Sequence, residues 1–352
     1  MHVKPEIHQF VKGLIEPSAL SVIVSLFTTT VCAIGFLTYV TPDRVIEMTP
    51  RLATDNSDDD IFLTNTVLKL KQNPTSEPAV YLIGDSSLRE AVYIETLAES
   101  LQVKDSSLNT VDLRSGGQSI LQALAIVDNI PASASGIVLL GNSLRKLTRH
   151  RLQIEHARNG TRRGFSSREV DRQLQLENVL TRRKTGLYSI DNFWFLLPRF
   201  IRTLLDDTHH KRVTHQSTLQ SKLTGNVLNE RVNKYLKTLN ASFPDYWSHA
   251  NSGRRILLRI AEILHERESL QLLVIETPVN PLIQPLLPPY YFDQYKTQIT
   301  RFFDQQGISY FDPTESSNLN PQDFTDVVHL FEPEAIERFT HSISNYLQEF
   351  VL

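Results

Sequence analysis

The sequence predicts an α/β fold: a three-layer α/β/α sandwich on a mostly parallel five-stranded sheet of flavodoxin-like type, with an N-terminal transmembrane helix and a helical insertion. Three observations predict it. Short runs rich in Val, Ile and Leu alternate with stretches of helical periodicity, the pattern of successive βαβ units. These runs are apolar at nearly every position, as strands covered on both faces are. The chain of 352 residues is 41% hydrophobic and 21% charged, enough for a sizeable core and unlike the composition of disordered chains. Its length allows about two domains or one large domain with an insertion, and the single break in the alternation favours the second.

Residues 1–17 read as a short cytoplasmic N-terminus. Ser18 to Val40 holds no charged residue, and its 23 positions would span about 34 Å as a helix, enough to cross a bilayer core. A cleaved signal peptide or a buried core helix would share this apolar run, but the run is longer than a signal-peptide core and lacks a convincing small-x-small cleavage site. Lys4 and Lys12 before it are matched by Arg44 and Arg51 after it, so orientation rests on the short leading segment and the large body that follows. The expected topology is a single pass through the cytoplasmic membrane, with the folded domain facing the periplasm or cell exterior. Residues 41–77 read as a linker in which Asp55, Asp58, Asp59 and Asp60 are solvated.

The folded domain is expected over residues 78–352. Its strands are Ala79–Ile83, Thr110–Leu113, Gly136–Leu140, Leu270–Ile275 and Ile308–Phe311. Helical patterns lie between them at Ser87–Ser100, Gln118–Asn129, Arg254–Arg267 and Tyr295–Gln306. A last amphipathic helix runs from about Pro333 to Phe350, with Ile336, Phe339, Ile343, Tyr346 and Leu347 at helical spacing. From about residue 144 to 252 no strand pair is visible, and this interval reads as an insertion after the third strand.

The insertion is basic although the chain is slightly acidic: Arg145 to Arg212 holds sixteen Lys and Arg against seven Asp and Glu. That bias suits anionic lipid headgroups or an anionic glycan, and equally suits a solvated helical surface. Nucleic acid is not expected. Leu187 to Leu205 combines Trp, Phe and Leu with flanking Arg, as in a helix lying in a bilayer interface. With Pro198 inside it, the same stretch could form a buried hairpin. The single cysteine, Cys32, excludes an intrachain disulfide and a cysteine-based metal cage. His209 and His210 are adjacent, project in different directions and read as solvated, so no metal and no cofactor is expected.

The sharpest local signal is Gly84-Asp85-Ser86-Ser87, placed between a strand and a helix. Ligands of open α/β sheets bind beyond the carboxyl ends of the strands, and the helix N-terminus offers N–H groups and a positive dipole end to an oxyanion. A turn glycine with an Asp or Ser helix cap would give the same letters. Near the other end, Asp326-Val327-Val328-His329 supplies a base and a group to orient it. A serine hydroxyl needs such a base, and histidine titrates near neutrality. Asp326 could accept the Nδ1–H of His329 and leave Nε2 facing the serine, although a loop hydrogen bond or half a metal site would also use these residues. Gly116-Gly117 and Gly141-Asn142-Ser143 follow the second and third strands. Each could supply an oxyanion donor or be an ordinary turn.

The order Ser, Gly, Asn, His, each after a strand or before the last helix, resembles the SGNH (GDSL-like) hydrolase superfamily over roughly residues 78–145 and 254–350, with Thr277-Pro278 at a turn common in that group. The resemblance implies Ser86 as nucleophile and Asp326 and His329 as the acid-base pair. It implies an oxyanion hole of the Ser86 N–H, the Gly117 N–H and the Asn142 side chain. Two departures matter. The third block reads Gly-Asn-Ser where the family has Gly-x-Asn, so Ser143 stands at the expected place, and Ser87 and Gly116 double the first and second blocks.

An anchored domain of this kind is similar to accessory proteins of alginate and peptidoglycan O-acetylation and of teichoic acid D-alanylation. The similarity implies an acyl donor, an envelope glycan acceptor and a multi-pass membrane acyltransferase as partner. Three functions are therefore expected in competition: O-acyl (acetyl) transfer to an envelope glycan, ester hydrolysis or deacetylation by the same residues, and a catalytically silent assembly protein.

Overall fold

The computed structural model describes residues 18–54, 58–74, 77–102, 108–148, 163–179, 184–205, 221–240, 242 and 245–351. Five parallel strands form one sheet in the order β2-β1-β3-β4-β5: β1 Ala79–Ile83, β2 Asn109–Asp112, β3 Gly136–Asn142, β4 Leu270–Glu276 and β5 Ser309–Phe311. All five expected strands are present, β1 with the expected ends and the others with one or both ends shifted by one or two residues. This doubly wound order reverses direction between β1 and β3, where such sheets open a crevice at their carboxyl ends.

The strands alternate between two cores, which explains why they read as continuously apolar. Ala79, Tyr81 and Ile83 of β1 and Val138 and Leu140 of β3 face one core, whereas Val80, Leu82, Ile137 and Leu139 face the other. The chain enters through α1 Ala19–Tyr39, α2 Pro42–Leu52 and α3 Asp59–Gln72. The first core is covered by α3, α6 Ile120–Asn129, α12 Asn251–His265 and α13 Tyr291–Gln306. The second is covered by α4 Ser86–Arg89, α5 Ile94–Gln102 and α14 Pro333–Val351, which buries Phe339, Ile343 and Leu347 fully. Truncating a buried phenylalanine such as Phe339 to alanine costs about 3–5 kcal/mol.

The helix expected at Ser87–Ser100 is two helices. After the single turn of α4, the Arg114 guanidinium donates to the carbonyls of Leu88, Arg89 and Val92 (3.3, 3.2 and 2.9 Å). Those carbonyls are thereby satisfied without further helix, and Tyr93 N–H turns to Thr340 Oγ1 instead.

The expected linker over 41–77 is corrected most. It folds into α2 and α3, and α3 is buried on nearly all sides because it lies between two cores. Leu63, Val67 and Leu70 join the sheet core, while Ile61, Phe62 and Leu68 join a third cluster with Val45, Leu52, Phe195, Leu196 and Phe200. A helix buried on two faces gives no single amphipathic period to read. The acidic run is not solvated either. Asp58 pairs with Arg199, Asp59 with Arg89 and Asp60 with Arg163, while Asp55 lies outside the described residues.

The insertion is folded onto the domain where it is described: α7 Arg168–Leu176, α8 Tyr188–Asp191, α9 Phe193–Leu205, α10 Gly225–Asn240 and α11 Tyr246–His249. Several of its cations are committed to the protein: Arg163 and Arg199 in the pairs above, Lys184 to Asp171, Arg202 to backbone carbonyls and Arg145 over the Tyr235 ring. His209 and His210 lie outside the described residues. Among the described residues one helix, α1, is long and apolar enough to cross a membrane, and none of its residues is buried. A signal sequence would share that length and composition. The assignment of residues 1–17 to the cytoplasm lies outside the described residues.

Candidate active site

The site begins where β1 ends. Gly84 passes so close beneath Leu88 that an added Cβ would stand 2.6 Å from Leu88 Cδ2, so a side chain there would push α4 off the sheet. Asp85 caps α4 through Ser87 N–H (3.1 Å) and also accepts the Ser87 hydroxyl. Ser87 is buried, and its hydroxyl also meets Thr277 Oγ1 at 3.3 Å, so it is held as structure and is a poor alternative nucleophile. Ser86 is half-buried at the carboxyl edge of the sheet, beside the β1/β3 crossover. No acceptor among the described residues takes its N–H.

Asp326 and His329 sit on a tight loop ahead of α14. An isolated antiparallel bridge, Phe324 with Leu330, closes it, and Thr325 N–H donates to the His329 carbonyl at 3.0 Å. The sequence reading missed what holds this loop from below. Buried Asn280 donates through Nδ2 to the Asp326 carbonyl (3.0 Å) and through its backbone N–H to the Val327 carbonyl (2.8 Å). The local signal, an Asn capping a short 3-10 turn over Pro281–Leu286, is visible in the sequence, but its partner is not. From the insertion side, Leu223 N–H donates to the Thr325 carbonyl and Thr325 Oγ1 to the Ser221 carbonyl.

The structure brings the three predicted residues into one line. His329 Nδ1 lies 2.9 Å from both Asp326 oxygens, and His329 Nε2 lies 2.8 Å from Ser86 Oγ. Asp326 Oδ1 also accepts the N–H groups of Val328 (3.0 Å) and His329 (3.1 Å). Burial alone would raise the Asp326 carboxyl. The hydrogen bond and charge of His329 and these two N–H groups outweigh it and hold the carboxyl below the ordinary carboxylate range. An ionised Asp326 fixes the Nδ1–H tautomer and leaves Nε2 to accept the serine proton.

The glycine turn after β2 belongs to the same edge, because Ser115 N–H donates to the Gly84 carbonyl at 3.0 Å. Gly116 is not a spare donor: its N–H is taken by Asp59, which also pairs with Arg89 at 2.6 Å. Gly117 is exposed with φ at +63°, in the left-handed region that favours glycine, and its N–H has no acceptor among the described residues. Among the described residues, the Ser86 and Gly117 N–H groups are thus both left without an acceptor at this edge of the sheet.

The expected role of Asn142 is corrected. Asn142 is the last residue of β3, and its amide donates one hydrogen to Glu276 Oε2 (3.0 Å) and the other to Tyr295 Oη (2.9 Å). The flipped amide would set its oxygen against the Glu276 carboxylate, which disfavours that orientation. Both Asn142 N–H groups are spent on a buried network in which Glu276 also accepts from Tyr295 and Tyr310. Burial raises the Glu276 carboxyl, against the charge of Lys296. Ser143, the alternative third donor, is buried and accepts the Lys146 N–H on its carbonyl at 2.9 Å.

A buried lysine whose charge acts on Asp85, next to Ser86, was also missed. Burial lowers the Lys146 ammonium to about 8, partly opposed by the Asp85 charge. Burial alone would raise Asp85, but the charge of Lys146, the Ser87 hydrogen bond and the charges of Arg145 and His329 hold it down. Among the described residues no group of three His, Cys, Asp or Glu side chains could hold a metal ion. Neither a known family profile nor a curated protein matches the chain.

Proposed function

We propose that this chain is a membrane-anchored, extracytoplasmic serine acyl-transfer enzyme of SGNH type. The observation that supports it is the Asp326, His329 and Ser86 line, with contacts of 2.9 and 2.8 Å. His329 Nε2 takes the proton of Ser86 Oγ as that oxygen attacks the carbonyl carbon of an acyl donor. The carbonyl π electrons move to oxygen, and the Ser86 and Gly117 N–H groups receive the oxyanion. Asp326 stabilises the imidazolium formed on His329. The tetrahedral species collapses with cleavage of the bond to the leaving group, which takes the proton from His329 and leaves an acyl-Ser86 ester. In the second half, His329 deprotonates an acceptor hydroxyl, the acceptor attacks the ester, and the proton returns to Ser86.

We assign the acceptor to a cell-envelope glycan and the acyl group to acetyl or one of similar size. The apolar α1 and the resemblance to envelope O-acylation proteins favour this assignment, and a multi-pass membrane acyltransferase would deliver the donor. The test incubates the full chain in lipid nanodiscs with p-nitrophenyl acetate and envelope oligosaccharides, with product analysis by mass spectrometry. Esterified oligosaccharide formed by wild type and lost in Ser86→Ala supports transfer. Free acetate alone, equally dependent on Ser86, would make the protein an esterase, and no turnover with either would return it to an assembly role.

A further inference from the structure

Helix α9 has its polarity inverted for a helix facing water. One face packs inward through Phe195, Leu196 and Phe200. The charged residues also turn inward, Arg199 to Asp58 and Arg202 to the carbonyls of Leu52 and Ala53. What remains outside is Trp194, Pro198, Ile201 and Leu205, at i, i+4, i+7 and i+11, with Leu204 beside them. Trp194 is 72% exposed, Leu204 84% and Leu205 83%. A continuous apolar stripe of this kind needs a cover.

Its position tells what the cover is. The 21 residues of α1 span about 32 Å, matching a hydrocarbon core of about 30 Å, so the last turn of α1 falls at the bilayer boundary. That last turn touches α9 directly: Phe36 packs edge-on against Phe193 (5.4 Å) and Phe200 (6.3 Å), and Tyr39 against Phe200 (6.1 Å). Ser189 Oγ, on α8, reaches the Leu37 carbonyl at 3.3 Å. The stripe is therefore fixed at the height where the membrane surface begins, with a tryptophan at one end, a residue that favours that layer.

We propose that the outer face of α9 is embedded in the lipid interface beside α1, seating the protein body on the bilayer at a second place. This rests on the reading of α1 as a membrane anchor. The occupant is the acyl-chain boundary of the bilayer, and the attraction is apolar, because Arg199 and Arg202 are committed inward. Phe195, Leu196 and Phe200 join the cluster that holds Ile61 and Phe62 of α3, the helix whose Asp59 holds Gly116. The seat is thus one helix from the oxyanion turn.

The test places the full chain in nanodiscs of neutral lipid with brominated acyl chains. Two reporters are read: the difference in tryptophan emission between wild type and Trp194→Phe, and a fluorophore on Cys32, the single cysteine, which lies on α1. Loss of most of both signals, with Trp194 shielded from aqueous acrylamide and no change when anionic lipid is added, supports the seat. If Cys32 is quenched while Trp194 is quenched by acrylamide and not by bromolipid, the seat is overturned and the anchor stands. If Trp194 is shielded from both quenchers, protein covers the stripe and the seat is overturned. An unquenched Cys32 removes the anchor and the seat with it.

Discussion

Replacing Asp326 by asparagine tests the acid-base line without removing an atom from it. The asparagine oxygen stays at the Oδ1 place, where the Val328 and His329 N–H groups (3.0 and 3.1 Å) prefer an acceptor. The amide NH2 then occupies the Oδ2 place, 2.9 Å from His329 Nδ1. The new donor competes at Nδ1 with the Oδ1 acceptor, which is also 2.9 Å away but already takes two N–H groups, and so favours the tautomer whose proton is on Nε2, pointing at Ser86 Oγ 2.8 Å away. The serine loses its proton acceptor, and the imidazolium loses its counter-charge. Such a change lowers kcat about 10⁴-fold, or ~5 kcal/mol at 1.36 kcal/mol per decade. Stability falls less, by about 1.5–3 kcal/mol for one charge-assisted hydrogen bond. The pH sign follows from the depressed Asp326 carboxyl: its stabilisation is complete above its ordinary 3.8 and is lost as pH falls through the lower native value. The stability gap between wild type and Asp326→Asn therefore closes in acid. Ester hydrolysis and urea unfolding against pH measure both effects. A variant within tenfold of wild-type kcat would refute the role given to Asp326.

Three further outcomes follow from the same geometry. Asn142→Ala should lower kcat less than tenfold on folded protein, because the amide serves Glu276 and Tyr295, whereas loss of a true oxyanion donor costs about 10²–10³; steady-state hydrolysis decides. Asp59→Ala removes one of the two carboxylates that Arg89 pairs with, leaving Glu90 at 2.8 Å, and frees the Gly116 N–H. It should cost about 1.5–3 kcal/mol in chemical unfolding, the worth of one charge-assisted hydrogen bond, and lower kcat with KM little changed. Lys146 titrates at about 8 in the native protein against its ordinary 10.5, so the unfolded chain binds the extra proton and stability from this group rises with pH across that window. Unfolding free energy measured from pH 8 to 10.5 should carry this slope in wild type and lack it in Lys146→Met.

The sheet was legible because each strand is a short apolar run covered on both faces, and the place of Ser86 at the sheet's carboxyl edge because Gly84-Asp85-Ser86 ends the clearest of these runs. The Asp326 and His329 pair was legible because its members are three residues apart and interact locally. What stayed hidden depends on partners distant in the chain. Asp58, Asp59 and Asp60 read as solvated until Arg199, Arg89 and Arg163 fold against them. Asn142 reads as a donor to substrate until Glu276 and Tyr295, more than a hundred residues away, take both its hydrogens. Helix α3 reads as a linker because it has two buried faces and so no single period. The break after α4 depends on Arg114, whose side chain satisfies three carbonyls that the helical pattern would have used.

The central claim is that Ser86 is an activated nucleophile. Its most direct test is intact-mass analysis of the full chain after treatment with a fluorophosphonate, beside Ser86→Ala and Ser87→Ala. A single adduct on wild type and on Ser87→Ala, absent from Ser86→Ala, is the predicted result. An adduct that persists in Ser86→Ala, or none on folded wild-type protein, would contradict it.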